Sequence, residues 1–175
     1  GTGPGVGEQL VSHPEVPIIS FTGGSETGKH ISRIAAPLFK KLSLELGGKN
    51  PNILFADCDF DTMLSTTMRS SFANQGQICL CGSRILVDRP IYDRFVKAFV
   101  AKTKQLRVGP PDQTGVQIGA VVSQAHRDKI LSYIQLAIDE GGTVECGGAS
   151  PTMEGDAKGG FYVNPTIITG LNMDC

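Results

Sequence analysis

The sequence predicts an α/β fold with parallel strands, and three observations favour it. Short apolar runs of strand length alternate along the chain with longer stretches of helical periodicity. Glycine-rich turns at residues 3–7 and 23–28 precede predicted helices. Strands that alternate with helices form parallel sheets whose faces the helices cover. We predict two parts, 1–46 and 47–175, divided at a Gly-Gly-Lys-Asn-Pro break.

The first part contains two predicted strands and the helices beside them. Residues 8–12 form a short helical turn, and the apolar run 16–21 is a buried strand. Ser25 or Thr27 caps the next helix, and Pro37 ends it. Residues 41–46 alternate in hydrophobicity and form the second strand. The inward face of the helix carries Ile31, Ile34 and Ala35.

The second part continues the alternation of strands and helices. Strands are predicted at 52–55, 83–88 and 143–146, and an extended segment at 161–168. Helices are predicted over 60–72, from Pro90, and from a Ser123 cap to the glycines at 141–142. Residues 147–160 form a surface loop. The inward positions are Leu64, Thr67, Met68 and Ser71 in the first helix, Ile91, Phe95, Val96 and Phe99 in the second, and Ile130, Ile134, Ala137 and Ile138 in the third.

Composition excludes several classes of protein. The chain has 175 residues, 40% of them hydrophobic, which is enough for a packed core. A net charge of −1 with interleaved signs argues against a nucleic-acid partner. No apolar run reaches the length of a membrane span, and no secretory leader opens the chain. We therefore expect no membrane partner and a cytoplasmic location.

The cysteines predict free thiols in a reducing compartment. Five cysteines at irregular spacing make a poor disulfide framework. Cys79 and Cys81 form a C-x-C pair, but no second pair follows and the three histidines are scattered, so no metal site is predicted. The chain opens on a glycine-rich turn without a strand before it and ends without a capping signal. We therefore expect it to be an internal part of a longer polypeptide.

Three features could carry chemistry, and each has an ordinary structural alternative. The glycine-rich turns could present backbone N–H groups to an anion at a helix N-terminus, or simply make tight turns. Glu45, late in an apolar strand, is either a buried structural acid or a base at the carboxyl edge of the sheet. Cys79 follows Gln75-Gly76-Gln77 on a predicted loop and is either an inert filler or a reactive thiol.

Taken together, the three features resemble the signature segments of the aldehyde dehydrogenase superfamily, in that family's order. Glu45 and Cys79 stand 79 − 45 = 34 residues apart, as the family pattern requires. Residues 69–81 look most like the 2-aminomuconic and hydroxymuconic semialdehyde dehydrogenases. The matching segments are Phe-Thr-Gly-Gly-Ser-Glu-Thr-Gly at 21–28, Leu-Glu-Leu-Gly-Gly-Lys-Asn-Pro at 44–51, Asn-Gln-Gly-Gln-Ile-Cys at 74–79 and Gly-Phe-Tyr-Val-Asn-Pro-Thr at 160–166.

The resemblance implies a fold, a reaction and a set of site residues. The fold would be the C-terminal part of a Rossmann-like dinucleotide-binding domain, followed by the first part of an α/β catalytic domain. Cys79 would be the nucleophile that attacks the aldehyde, its backbone N–H would help to hold the oxyanion, and Glu45 would activate the hydrolytic water. The cofactor would be NAD, with NADP not excluded. The cofactor-binding positions would be Gly3, Pro4, Gly7, Gly23, Gly24, Gly28 and Leu46.

The resemblance also carries a departure and some alternatives. Gly24 stands where the family usually has a serine, which removes a hydroxyl from the phosphate contact. Cys81 matches no required role, so it is a loop filler or a disulfide partner under oxidation. Glu45 favours hydrolysis over acyl transfer to coenzyme A, since CoA-acylating relatives generally lack this base. The family implies a small aldehyde substrate and a homo-oligomer. The alternative is a catalytically inactive short form, and we expect the isolated 175 residues to be inactive.

Overall fold

The computed structural model describes residues 1–172 and 175, which form two compact units, 1–48 and 49–175. The predicted boundary, after residue 46, lies in the same connection between strands. Each unit contains parallel strands joined by a helix, so the predicted α/β class is confirmed. The functional assignment of the two parts remains a prediction.

The first unit is a strand–helix–strand arrangement. A π-helical turn, Gly3–Gly7, leads into α1, Glu8–Ser12. Strand β1, Ile18–Thr22, pairs in parallel with β2, Lys41–Glu45, and α2, Ser25–Ala35, connects them. A parallel pair needs such a crossover because its strands run in the same direction. The buried core consists of Ile19, Ile31 and Ala35.

The second unit begins with the same motif. Strand β3, Asn50–Leu54, pairs in parallel with β4, Gly82–Val87, through α3, Phe60–Phe72. Helices α4, Tyr92–Thr103, and α5, Gln124–Asp139, follow, and β5, Thr143–Cys146, pairs antiparallel with β6, Ile167–Thr169. The core is built from Leu54, Met63, Leu64, Phe95 and Phe99.

Most predicted elements are present, with some differences in detail. Neither Ser25 nor Thr27 caps α2: Gly24 is the last extended residue before the helix and provides no side-chain cap. Ser123 does cap α5, since its Oγ accepts a hydrogen bond from His126 N at 3.2 Å. Ile138, predicted to face inward, is 42% exposed in the last turn of that helix. Of the extended segment 161–168, only its last two residues belong to a strand.

The described residues contain neither a membrane-spanning helix nor a metal-binding cluster. Among residues 1–172 and 175, none of the helices has both the length and the apolar character needed to traverse a lipid bilayer. In the same part of the chain, no three or more His, Cys, Asp or Glu side chains gather as a metal site would require.

Candidate active site

The glycine-rich turn after β1 lies at the carboxyl ends of two parallel strands. Gly23 N donates to Glu45 O at 3.0 Å, which joins the end of β1 to the end of β2. Gly24, in extended conformation (φ −68°, ψ 145°), then starts α2 without a side-chain cap. The first N–H groups of a helix have no intrahelical partner and favour an anion. The turn is therefore built as a phosphate-binding site would be.

The glycines of this turn differ in what their missing side chains allow. A Cβ on Gly23 would lie 2.5 Å from the Phe21 ring, whereas a Cβ on Gly24 would meet nothing within 4 Å. Gly24 therefore has room for the serine that the family usually carries. The departure from the family pattern removes a hydroxyl but no backbone donor.

Gly28 and Leu46 pack directly against each other. Gly28 is buried in α2, and a Cβ there would lie 2.5 Å from Leu46 Cδ2 and 2.9 Å from Cδ1. The glycine thus lets the residue after Glu45 approach the helix closely. Gly28 and Leu46, both predicted to bind the cofactor, are thus held next to each other by packing inside the unit 1–48.

The first predicted cofactor turn is helical from its beginning. Thr2 caps it, with its Oγ1 accepting from Gly5 N at 3.2 Å and its carbonyl accepting from Val6 N at 3.0 Å. Pro4 fits the first helical turn because its missing N–H would have no partner there. A Cβ on Gly3 or Gly7 would meet nothing within 4 Å. These glycines are therefore not required by packing against the described residues.

Glu45 is exposed and is the last residue of β2. It pairs in register with Thr22, so it lies at the carboxyl edge of the parallel pair. Ligands bind at this edge in open α/β sheets. Among the described residues Glu45 is not buried, which argues against the structural acid, and its role as a base stays a prediction.

The segment between α3 and Cys79 has an unusual backbone. Asn74, Gln75 and Gly76 have φ values of 50°, 56° and 69°, three left-handed residues in succession. Left-handed backbone costs a residue with a Cβ about 1–2 kcal/mol. The Gln75 side-chain amide offsets part of this cost. In the orientation that gives both of its ends a partner, its oxygen accepts from Gly119 N at 2.9 Å and its nitrogen donates to Asn74 O at 2.8 Å. Such locally costly geometry is typical of functional loops.

Cys79 lies in a tight turn that exposes it. Ile78 O accepts from Cys81 N at 2.9 Å, which closes the turn around Cys79 and Leu80. The Ile78–Cys79 peptide is trans, so its N–H points opposite to its carbonyl and away from the turn. Cys79 is exposed, and its N–H points away from the hydrogen bond that closes the turn. An oxyanion site in acyl transfer needs this combination.

Asn50, which belongs to the signature segment 44–51 but was assigned no role from the sequence, contacts this turn. Its Nδ2 donates to Cys79 O at 2.5 Å and to Cys81 O at 3.3 Å. No sequence signal marks this contact, because the partners are 29 and 31 residues apart.

The other cysteines differ from Cys79 in their surroundings. Cys81 is buried, with its Sγ 4.0 Å from Ala73 O, which fits a loop filler. Cys146 is also buried, and burial raises the pKa of its thiol, which disfavours the reactive thiolate. Cys58 and Cys175 are exposed but follow no signature segment. Cys79 is therefore the exposed thiol that a shaped loop presents.

The fold and this cysteine loop define an α/β protein with a presented thiol, and comparison with known proteins identifies its family. The aldehyde dehydrogenase family model matches residues 1–175. The 2-aminomuconic semialdehyde dehydrogenase of Homo sapiens is 51% identical over 173 residues, which are 98% of this chain and 36% of that protein. The 2-hydroxymuconic semialdehyde dehydrogenase of Pseudomonas sp. (strain CF600) is 48% identical over 172 residues, 98% of this chain and 35% of that protein.

A solved structure agrees over nearly the whole chain. The crystal structure of betaine aldehyde dehydrogenase from Staphylococcus aureus in complex with NAD+ superposes with a TM-score of 0.94 at 41% identity, covering 99% of this chain and 34% of that one. The chain belongs to the aldehyde dehydrogenase family. It spans about a third of the length of the relatives that it matches.

Proposed function

We propose that the polypeptide carrying these residues oxidises an aldehyde of the muconic semialdehyde type to the carboxylic acid with NAD+. The observation that carries the proposal is the exposed Cys79, whose N–H points away from the hydrogen bond that closes its turn. The semialdehyde dehydrogenases at 48–51% identity support the substrate class. The NAD+ complex of the Staphylococcus aureus relative supports the cofactor, with NADP as the alternative.

The chemistry assigned to this chain consists of two additions to the same carbon. The Cys79 thiolate adds to the aldehyde carbon, and the carbonyl oxygen becomes an oxyanion near the Cys79 N–H. NAD+ would supply the oxidation by accepting a hydride from that carbon. Glu45 takes a proton from a water molecule that adds to the resulting thioester, and the Cys79 thiolate leaves as the acid forms.

The cofactor-binding residues are assigned in two groups. Gly23, Gly24 and the start of α2 would hold the pyrophosphate, because this turn offers backbone N–H groups without a side-chain cap. Gly28 allows Leu46 to approach α2, and the Leu46 backbone would meet the nicotinamide amide. The adenine-side turn is assigned to Gly3, Pro4 and Gly7.

Two substitutions in the full-length polypeptide test the two roles. Cys79→Ala should abolish aldehyde-dependent NADH formation, because the nucleophile is gone. Glu45→Gln should retain a first burst of NADH and then turn over slowly, because the thioester forms but is not hydrolysed. Cys58→Ala is the matched control, since Cys58 is another exposed thiol of the same unit. Normal turnover in Cys79→Ala would overturn the role of Cys79 as nucleophile, and normal turnover in Glu45→Gln would overturn the role of Glu45 as base.

Two further properties are proposed for the full-length polypeptide. We expect it to be cytoplasmic, because all five cysteines are free thiols, and to form a homo-oligomer as the family implies. Cell fractionation with labelling of free thiols tests the location, and light scattering on the purified polypeptide tests the oligomeric state.

A further inference from the structure

We propose that Asn50 is a positioning residue for the Cys79 turn, which it holds through both N–H groups of its side-chain amide. The proposal rests on the proposed role of Cys79 as nucleophile. Asn50 Nδ2 donates to Cys79 O at 2.5 Å and to Cys81 O at 3.3 Å. A primary amide has two N–H donors, so one side chain can hold two carbonyls at once.

The two carbonyls lie on either side of Leu80, and this decides what holds the turn in place. Leu80 is 79% exposed and Cys79 is exposed, so apolar burial contributes little to fixing them. The constraints on Cys81 are several: its N–H donates to Ile78 O, its sulfur lies 4.0 Å from Ala73 O, and its carbonyl accepts from Ser83 N at 3.0 Å as well as from Asn50. For the Cys79 carbonyl, the hydrogen bond described is the one from Asn50, so removing the amide donors acts mainly on Cys79.

Asn50 stands at the start of the β3–β4 pair, where the register shifts between Asn50 and Pro51. It is the first residue of β3 and pairs with Gly82 of β4. Gly82 N donates to Ser70 Oγ at 3.1 Å, and Ser71 Oγ donates to Gly82 O at 3.1 Å. A Cβ on Gly82 would lie 2.8 Å from Ser70 Oγ, so the end of α3 packs closely on this strand. The amide thus transmits the position of the β3–β4 pair to the turn.

Fixing the Cys79 carbonyl also orients the thiol. The carbonyl plane and the trans peptide before it set the backbone on both sides of the Cys79 Cα. Because the Cα is tetrahedral, these two planes determine where the Cβ and therefore the sulfur can point. A misplacement of about 1 Å at a reacting group can cost on the order of a hundredfold in rate. Asn50 would therefore act on the rate through Cys79 without touching the aldehyde.

The test uses Asn50→Asp in the full-length polypeptide, with Asn52→Asp as the matched control. The first change keeps the shape of the side chain but replaces its donors with carboxylate oxygens. Asn52 stands two residues along the same strand, and its Nδ2 donates to Thr67 Oγ1 at 3.4 Å, away from the Cys79 turn. We expect kcat to fall about ten- to a hundredfold for Asn50→Asp, the KM for NAD+ to change less than about twofold, and Asn52→Asp to resemble the unchanged protein.

Alkylation of Cys79 by iodoacetamide, followed by peptide mass spectrometry against pH, shows whether the side chain at position 50 lies beside the thiol, and the loss of kcat without a change in the KM for NAD+ reports the positioning. A carboxylate next to the turn disfavours the thiolate, so half-maximal alkylation should shift to higher pH in Asn50→Asp. Asn50→Ser removes the amide without adding charge. Asn50→Ser should lower kcat with little shift in the pH of half-maximal alkylation. It also replaces Asn50→Asp as the test variant if Asn50→Asp does not fold.

The outcomes separate this proposal from the proposed function. Loss of kcat in the Asn50 variants but not in Asn52→Asp supports the positioning role. Equal losses in the Asn50 and Asn52 variants would overturn it, because the effect would then belong to β3 as a whole. Unchanged kcat and unchanged alkylation in both Asn50 variants would also overturn it. If Cys79→Ala keeps full turnover, the proposed function fails, and the alkylation profile still reports whether the side chain at position 50 lies beside the Cys79 thiol.

Discussion

Gly76 offers a quantitative test of whether the left-handed segment before Cys79 matters to the thiol. Gly76 has φ +69°, and a Cβ there would lie 3.1 Å from Ser71 O, a backbone atom at the end of α3. Gly155 has φ +56°, and a Cβ there would meet nothing within 4 Å. Substitution by alanine at the two sites therefore shares the conformational cost but differs in the steric one.

The expected magnitudes follow from these two terms. Left-handed backbone costs alanine about 1 kcal/mol, so Gly155→Ala should lower the free energy of unfolding by about that amount. At Gly76 the 3.1 Å contact is tighter than ordinary packing and adds up to about 1 kcal/mol, for a total of about 2 kcal/mol. Ser71 is anchored by its hydrogen bond to Gly82 O. The loop rather than the helix should therefore yield, and Cys79 moves with it.

Denaturant unfolding and steady-state kinetics of the full-length polypeptide measure both effects. Gly76→Ala should lose about 2 kcal/mol of stability and on the order of tenfold in kcat, whereas Gly155→Ala should lose about 1 kcal/mol and keep its kcat. If Gly76→Ala loses stability but keeps full kcat, the left-handed run does not control the placement of Cys79, and that reasoning is refuted.

Two smaller changes test the helix starts. Ser123→Ala removes the side-chain acceptor of His126 N and should lower the free energy of unfolding by about 1 kcal/mol. The control is Ser132→Ala: the Ser132 hydroxyl donates to Lys129 O, and its loss should lower the free energy of unfolding by less than about 0.5 kcal/mol. Thermal or denaturant unfolding measures both. Gly24→Ser should raise stability by about 0.5–1 kcal/mol, because φ −68° and ψ 145° suit any residue and a serine hydroxyl can cap α2, and it should lower the KM for NAD+. Gly24→Ala lacks the cap and should not raise stability, and equal KM values for the two variants would contradict a role for the hydroxyl.

Periodicity predicted the elements well where local chemistry defines them. Helix 60–72 and strand 143–146 are observed with the predicted bounds. The start of α3 also has a local cause: Asp59 accepts from Thr62 N at 2.8 Å. Hydrogen bonds from the Thr62 side chain and then from its backbone N–H lower the pKa of the Asp59 carboxyl. Such caps involve residues three apart, so a sequence contains them directly.

The errors arose where the outcome depends on distant parts of the chain. Ser25 and Thr27 are suitable cap residues by type, but the cap falls at Gly24, where the backbone is still extended as it leaves β1. Ile138 repeats the spacing of the buried Ile134, yet it lies in the last turn of α5, where the described residues leave it exposed. Periodicity identifies the apolar face of a helix but not how far the covering surface extends.

The candidate site shows the same division. The signature segment picks out Cys79, but the conformation of its turn depends on Asn50, 29 residues earlier, and on Gly119, which meets Gln75 in the left-handed run. Asn50 belongs to the signature segment 44–51 that contains Glu45, so two separate segments of the sequence share a contact. A motif of residue types can therefore identify a nucleophile, while the hydrogen bonds that orient it come from elsewhere in the fold. For that reason the matched pair Asn50→Asp and Asn52→Asp tests more of the mechanism than removal of the thiol alone.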